Sequence, residues 1–326
     1  MTPVELSRTV LHAVRAAVEG GELCVEPGAL PERVVVTEPG PGGCGDYATN
    51  VALQLARAAG RRPADLAEVL RRRLLEADGI DDVVVTGPGF LNITLADSGE
   101  AAAGLVTEIL RLGPAYGHGD ALAGQVVPLR VPYEVRAEVV ADAVVRIVAT
   151  QGGRAEVGHG EPVNLRPVPA PEDPAPLGAD AAQWALLHPA PHDRPRITAD
   201  HLVQREGNPL FRVRYAHART RALTRNAARL GFGAEPGPVD AREVVAALAD
   251  HPRILTAAAT HRAPDRLARH LVTVADAVLP HLPTVLPRGE EKPSAAHRAR
   301  LALAEAAGTV LAGGLSLLGI DAPEHL

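Results

Sequence analysis

Apolar positions fall at helical spacing at the start of the chain. Val4, Leu6, Val10, Leu11, Val14 and Val18 predict an amphipathic helix over Thr2–Glu19. Arg33–Thr37 (RVVVT) reads as a short strand and Glu38–Gly45 as a turn-rich loop. Asp46 stands as a cap for a helix that begins near Tyr47, runs through VALQLARAA and stops at Gly60. Pro63 opens a further helix over Asp65–Ala77. Asp82–Thr86 and Phe90–Leu95 read as strands about Gly87-Pro88-Gly89, and Ala101–Leu112 is helical again. This alternation predicts a small α+β domain over residues 1–115. Tyr116–Asp120 reads as a loop, and the Pro-rich Glu161–Pro176 as an extended linker. From Leu202 onward the pattern is helical: Gly207–Leu230, Ala241–Leu248, Ile254–Thr260, Asp265–Val278 and Ala295–Gly313. Pro252, Pro264, Pro280, Pro283 and Pro287 punctuate the gaps. Residues 199–326 are thus predicted as an all-α bundle.

Composition narrows the classes. Hydrophobic residues make up 46% of the chain but aromatics only 2%, so cores must be built from Ala, Val and Leu. No run approaches the ~20 apolar residues of a membrane span, and the N-terminus lacks a basic-then-apolar signal layout. The expectation is a cytoplasmic protein. Cys24 and Cys44 are too few for a disulfide framework and lie far from metal-ligand spacing. His188 and His192 would need a helix to share a metal, and Pro189 and Pro191 forbid one, so no metal is expected. Gly40–Gly45 lacks the Lys-Ser/Thr of a phosphate loop, and no G-x-S-x-G occurs. No cofactor is expected.

Charge is unevenly distributed. Residues 1–198 carry a net −9 and residues 199–326 a net +3, within a total of −6. Seven Arg fall between Arg205 and Arg229 against one acid, Glu206. On a helix, Asn208, Arg212, Tyr215, Arg219, Ala222 and Asn226 share one face. Guanidinium forks suit phosphate and aromatic rings stack on unpaired bases, so this face suits RNA. The alternative is a solvated basic face packed by Leu210, Val213 and Leu223.

The wording of Asn208–Asn226, with YAHAR at Tyr215–Arg219, resembles the first helix of the DALR anticodon-binding domain of class I arginyl-tRNA synthetases. Three further stretches resemble segments of that family: Gly178–Leu187 (GADAAQWALL), Arg262–His270 (RAPDRLARH) and the terminal Leu317–Leu326 (LLGIDAPEHL). Near the N-terminus, Gly45–Leu53 (GDYATNVAL) and Thr86–Ile93 (TGPGFLNI) resemble the family's N-terminal domain. The resemblance implies contact with the tRNA D-loop through Phe90 and Asn92. It implies contact near the anticodon through Tyr215 and Arg219, with Arg212 and Arg225 on phosphate. Residues two apart on a strand face the same way, so ring and amide of Phe90 and Asn92 would act together, unless Phe90 is core and Asn92 a turn amide.

The middle departs from the family. A synthetase of this class holds a nucleotide-binding catalytic domain there, whereas residues 116–198 leave room only for a truncated α/β Rossmann remnant. Ala137–Val157 resembles the family's helix-turn-strand after its first catalytic motif. Val131-Pro132-Tyr133-Glu134 then stand where the family has His-Ile-Gly-His. The second motif, of KMSKS type, needs Lys to neutralise phosphoryl charge. The sole Lys is Lys292, beyond the anticodon-binding helix. Leu279-Pro280 replace a family aromatic pair, and Leu326 the closing Met. Loss of those rings puts selectivity for arginine tRNA in doubt.

The expectation is a multidomain α+β chain divided at 1–115, 116–198 and 199–326, with no catalytic residues. It would be a monomer that binds tRNA through Phe90, Asn92, Arg212, Tyr215, Arg219 and Arg225. Two alternatives stay open. The chain could deliver charged tRNA to a separate catalytic partner, or serve as a protein-interaction module that has lost RNA binding.

Overall fold

The computed structural model describes residues 3–25, 28, 30–31, 33–40, 43–95 and 99–326. The chain forms two compact units, Met1–Ala101 and Ala102–Leu326.

In the first unit, α1 (Pro3–Glu19) places Leu6, Val10 and Val14 in the interior, as its periodicity predicts. The segment after the 38–45 loop departs from expectation. Tyr47–Thr49 is a strand, β1, and α2 (Val51–Ala59) begins only after Asn50. The edge of a neighbouring strand decides this, because β1 pairs antiparallel with β3 (Phe90–Leu95). The expected strand at Arg33–Thr37 reduces to a single bridge between Thr37 and Ala48. Gly60 closes α2 in the left-handed conformation, as expected. Pro63 opens α3 (Pro63–Leu75), and β2 (Ile80–Thr86) pairs antiparallel with β3, giving the sheet order β1-β3-β2. Leu66, Leu70 and Leu74 of α3 pack with Val51 and Leu55 of α2 and with Val83, Leu91 and Ile93 of the sheet.

The second unit begins within α4 (Gly99–Leu112). A β-α-β segment follows: β4 (Val126–Val131), α5 (Val135–Ala149) and β5 (Arg154–His159), with the two strands parallel. The Pro-rich stretch is bound to this layer rather than free. Asn164 takes the Arg130 amide on its Oδ1 and donates from Nδ2 to the Pro128 carbonyl, so it extends the β4 edge. Next come α6 (Ala179–Leu187), α7 (Pro209–Arg229), α8 (Arg242–His261), α9 (Pro264–Val278) and α10 (Ala295–Leu317). One continuous core of Ala, Val and Leu joins the β-α-β segment to these helices, with Trp184 as its largest member. Residues 116–198 therefore share a hydrophobic core with the helices that follow.

Helix α8 corrects the expected break at Pro252, which lies inside it. A proline has no N–H for the carbonyl four residues back, here that of Leu248. The hydroxyl of Tyr116 donates to that carbonyl at 3.0 Å. Tyr116, expected in a loop, is thus buried and supplies the donor that the helix lacks.

Candidate nucleic-acid interface

Helix α7 starts where Asn208 accepts from the Leu210 and Phe211 amides and Pro209 fills the first turn. Leu210, Val213, Ala216, Thr220, Leu223 and Ala227 form its inward stripe. Thr220 lies so close to α10 that a Cβ at Gly308 would collide with it. The opposite face carries the predicted residues. Tyr215 is 38% exposed and stacks on Phe211 one turn earlier, with centroids 5.5 Å apart and 19° between planes. Arg219, one turn on, is exposed, and its side chain makes no hydrogen bond or ion pair with the described residues.

Arg212 and Arg225 are already engaged. Arg212 lies 3.2 Å from Asp276 of α9. Arg225 pairs with Glu324 at 3.3 Å, and Arg221 pairs with the same carboxylate at 3.1 Å. Such part-exposed pairs contribute about 0–1 kcal/mol, so phosphate can exchange for the carboxylate. His217 faces inward instead. Its Nδ1 lies 3.0 Å from the Pro323 carbonyl, and burial lowers its pKa. Pro323 and Glu324 thus tie the C-terminal residues to α7.

In the other unit the expected pair comes apart. Phe90 is 41% exposed at the end of β3, beside the turn at Gly87-Pro88-Gly89. Gly89 has a positive φ and lies against Pro63, where a Cβ would meet backbone at 2.9 Å, so this turn admits no side chain. Asn92 is only 2% exposed. Its Nδ2 donates to the Thr86 hydroxyl at 2.7 Å and to the Val84 carbonyl at 3.3 Å, and its Oδ1 accepts from the Cys44 amide at 3.4 Å. The Gly43–Gly45 segment covers it, since a Cβ at Gly43 would lie 2.8 Å from that Oδ1. Asn92 therefore holds loop to sheet, and its amide is not presented for base reading as the alternation along β3 predicts. Cys24 and Cys44 are both exposed and unpaired.

Where the family's first catalytic motif would stand, Glu134 caps α5. Its Oε2 accepts from the Ala137 amide at 2.9 Å and its Oε1 from the Ala170 amide at 3.2 Å. A helix N-terminus is a favourable place for an anion, and here the chain's own carboxylate occupies it. Two residues on, Arg136 is completely buried, and burial lowers its pKa. Its guanidinium donates to five backbone carbonyls: Leu186, Val168, Asp193, Pro189 and Ala190. This hub folds the 168–193 stretch over the start of α5. Sequence reading missed it; the signal was one Arg at the head of a helix otherwise rich in Ala and Val.

No helix of the described residues is long and apolar enough to cross a membrane. No cluster of His, Cys, Asp and Glu among them could hold a metal ion.

Comparison with known proteins gives consistent matches at both ends. Residues 5–95 match the "Arginyl tRNA synthetase N terminal domain", and residues 213–326 match the "DALR anticodon binding domain". The arginine–tRNA ligase of Renibacterium salmoninarum is 42% identical over 163 residues, which are 47% of this chain and 29% of the ligase. That of Kineococcus radiotolerans is 43% identical over 129 residues, 40% of this chain and 23% of the ligase. The matched sequence thus spans under a third of these relatives' own lengths. The arginyl-tRNA synthetase of Thermus thermophilus aligns over 100% of both chains with a TM-score of 0.69 at 14% identity, which is a likeness of fold. The chain therefore joins an arginyl-tRNA synthetase N-terminal domain to a DALR anticodon-binding domain, and just under half of it matches an arginine–tRNA ligase.

Proposed function

We propose that the chain is a non-catalytic tRNA-binding protein that contacts the D-loop side of tRNA through Phe90 and the anticodon side through Tyr215 and Arg219. The observation that carries this reading is the α7 face. Tyr215, stacked on Phe211, and Arg219, a cation with no side-chain partner among the described residues, stand one turn apart within residues matched by a DALR anticodon binding domain. Stacking by Tyr215 and charge from Arg219 would act on the same nucleotide segment. Arg212 and Arg225 would add phosphate contacts once released from Asp276 and Glu324.

The non-catalytic part rests on Glu134. Aminoacyl adenylate formation needs a site that accepts triphosphate, and a capping carboxylate at a helix N-terminus repels it. A single Lys, Lys292, leaves no lysine loop to neutralise the transferring phosphoryl group. The test is a gel-shift titration with a tRNA pool, comparing the full chain with a Tyr215→Ala, Arg219→Ala variant. Loss of affinity with an unchanged circular dichroism spectrum supports the reading. Equal affinity of the two proteins rejects it.

A second reading, delivery of tRNA to a separate catalytic partner, draws on the β4–β5 layer. Tyr133 is 87% exposed there and stacks on His159, and Val126, Val135 and Val157 are also exposed. Co-purification of a partner with its own nucleotide site would favour that reading.

A further inference from the structure

A cavity of about 500 Å³ is bounded by α6, residues 188–201 and α9. Three arginines line it, Arg194, Arg196 and Arg269, with His188 and His201; Asp193 is the one acidic residue of the lining. Arg269 pairs with the buried Asp265 at the base of α9. Arg194 and Arg196 are exposed, and their side chains make no hydrogen bond or ion pair with the described residues. The backbone beneath them is fixed, because four of the five carbonyls gripped by Arg136 belong to Leu186, Pro189, Ala190 and Asp193. Trp184, wholly buried, stacks on His188 with centroids 5.0 Å apart and 21° between planes. The cavity thus has a rigid floor, an aromatic wall and unneutralised cations.

Arg194 and Arg196 carry charge at this cavity that no ion pair with the described residues offsets, and forked guanidinium donors match phosphate oxygens. We propose that this cavity binds a small phosphorylated anion, held by Arg194, Arg196 and Arg269 with His188 as a further donor, while His201 is held by the Arg196 carbonyl. No residue of this set belongs to the tRNA-binding face assigned above, so the proposal stands apart from that reading.

The groups facing His188 come from several elements: Asp193, Arg194 and Arg196 from the segment after α6, His201, Arg212 of α7 and Arg269 of α9. Burial lowers the His188 pKa to about 4, and Arg269, His201 and Arg212 add to the shift. A bound anion offsets the cationic repulsion and raises that pKa. Trp184 is the single tryptophan of the chain, so its fluorescence reports on the stacked imidazole without labelling.

The experiment titrates the full chain with inorganic pyrophosphate and follows Trp184 emission, with chloride at equal ionic strength as control. A saturable change with pyrophosphate alone is expected, and the midpoint of the fluorescence pH titration should move up from about 4. The Arg194→Ala, Arg196→Ala variant should lose roughly tenfold or more in affinity while keeping its melting temperature. No saturable response into the millimolar range overturns the proposal, as does a variant that binds as tightly as the parent. A response to tRNA without one to pyrophosphate also overturns it, and gives the cavity to the RNA backbone.

Discussion

Phe90 and Asn92 stand two residues apart on β3, yet only the ring reaches solvent. Strand alternation places both on one side of the sheet, and that much was legible in the sequence. What covers Asn92 comes from residues 43–45, far away along the chain, so the covering is a tertiary fact that no local pattern carries. The two side chains should therefore fail differently. Asn92→Ala should cost roughly 1–3 kcal/mol in urea denaturation, because it leaves the Thr86 hydroxyl and the Cys44 amide without their partner. Phe90→Ala should lower tRNA affinity with a smaller effect on stability. An Asn92→Ala protein as stable as the parent would contradict the structural role. Arg219 and Tyr215 were legible for the opposite reason: on a long helix the face follows from spacing alone.

Three buried histidines give the chain a pH dependence. His251 stacks between Tyr116 and His270, with centroids 5.8 Å and 5.3 Å away. His251 Nδ1 and His270 Nε2 have no hydrogen-bond partner among the described residues. Burial is the largest cause holding their pKa values at about 3 and about 4, and it also lowers that of His217. The unfolded chain takes up these protons near the ordinary value of 6.5, before the folded chain does. The stability is therefore complete above about pH 6.5 and falls as pH drops toward the folded values. Urea midpoints measured downward from pH 7 should decline before carboxylates begin to titrate. A flat profile over that range would contradict the buried neutral assignment.

At the scale of elements, Pro252 shows how a helix survives a residue that should end it. The inward positions Val244, Leu248, His251, Leu255 and Ala258 keep helical phase across the proline. That phase was readable in the sequence, but the donor that satisfies Leu248 was not, since Tyr116 is 132 residues away. Tyr116→Phe should cost roughly 1–3 kcal/mol, the penalty for a buried carbonyl left unpaired. In a Pro252→Ala background the alanine N–H can reach the same carbonyl, so the cost of Tyr116→Phe should shrink. A double-mutant cycle by chemical denaturation reads this coupling directly. Additive losses would show that the hydroxyl is not substituting for the missing amide. The β1 strand makes the converse point. Asp46 reads as a helix cap, but Tyr47 and Thr49 are strand-favouring residues, and pairing with β3 decides for the strand.

At the scale of the molecule, the two ends of the chain were identifiable from wording that both domain matches bear out. The middle was less legible. Its Pro-rich stretch reads as a linker, but Arg136 and Asn164 bind it to the β-α-β layer. That hub and the core shared with α7–α10 together give a short middle segment a defined structure. The same packing puts Glu134 at the α5 N-terminus, where its carboxylate accepts from the Ala137 amide.

The most direct measurement is filter binding of the full chain to a tRNA pool and to unrelated RNA of equal length, across a salt series. Tighter binding to tRNA is expected at every salt concentration, with affinity falling as salt rises because phosphate contacts release counterions. Equal affinity for both RNAs would contradict it.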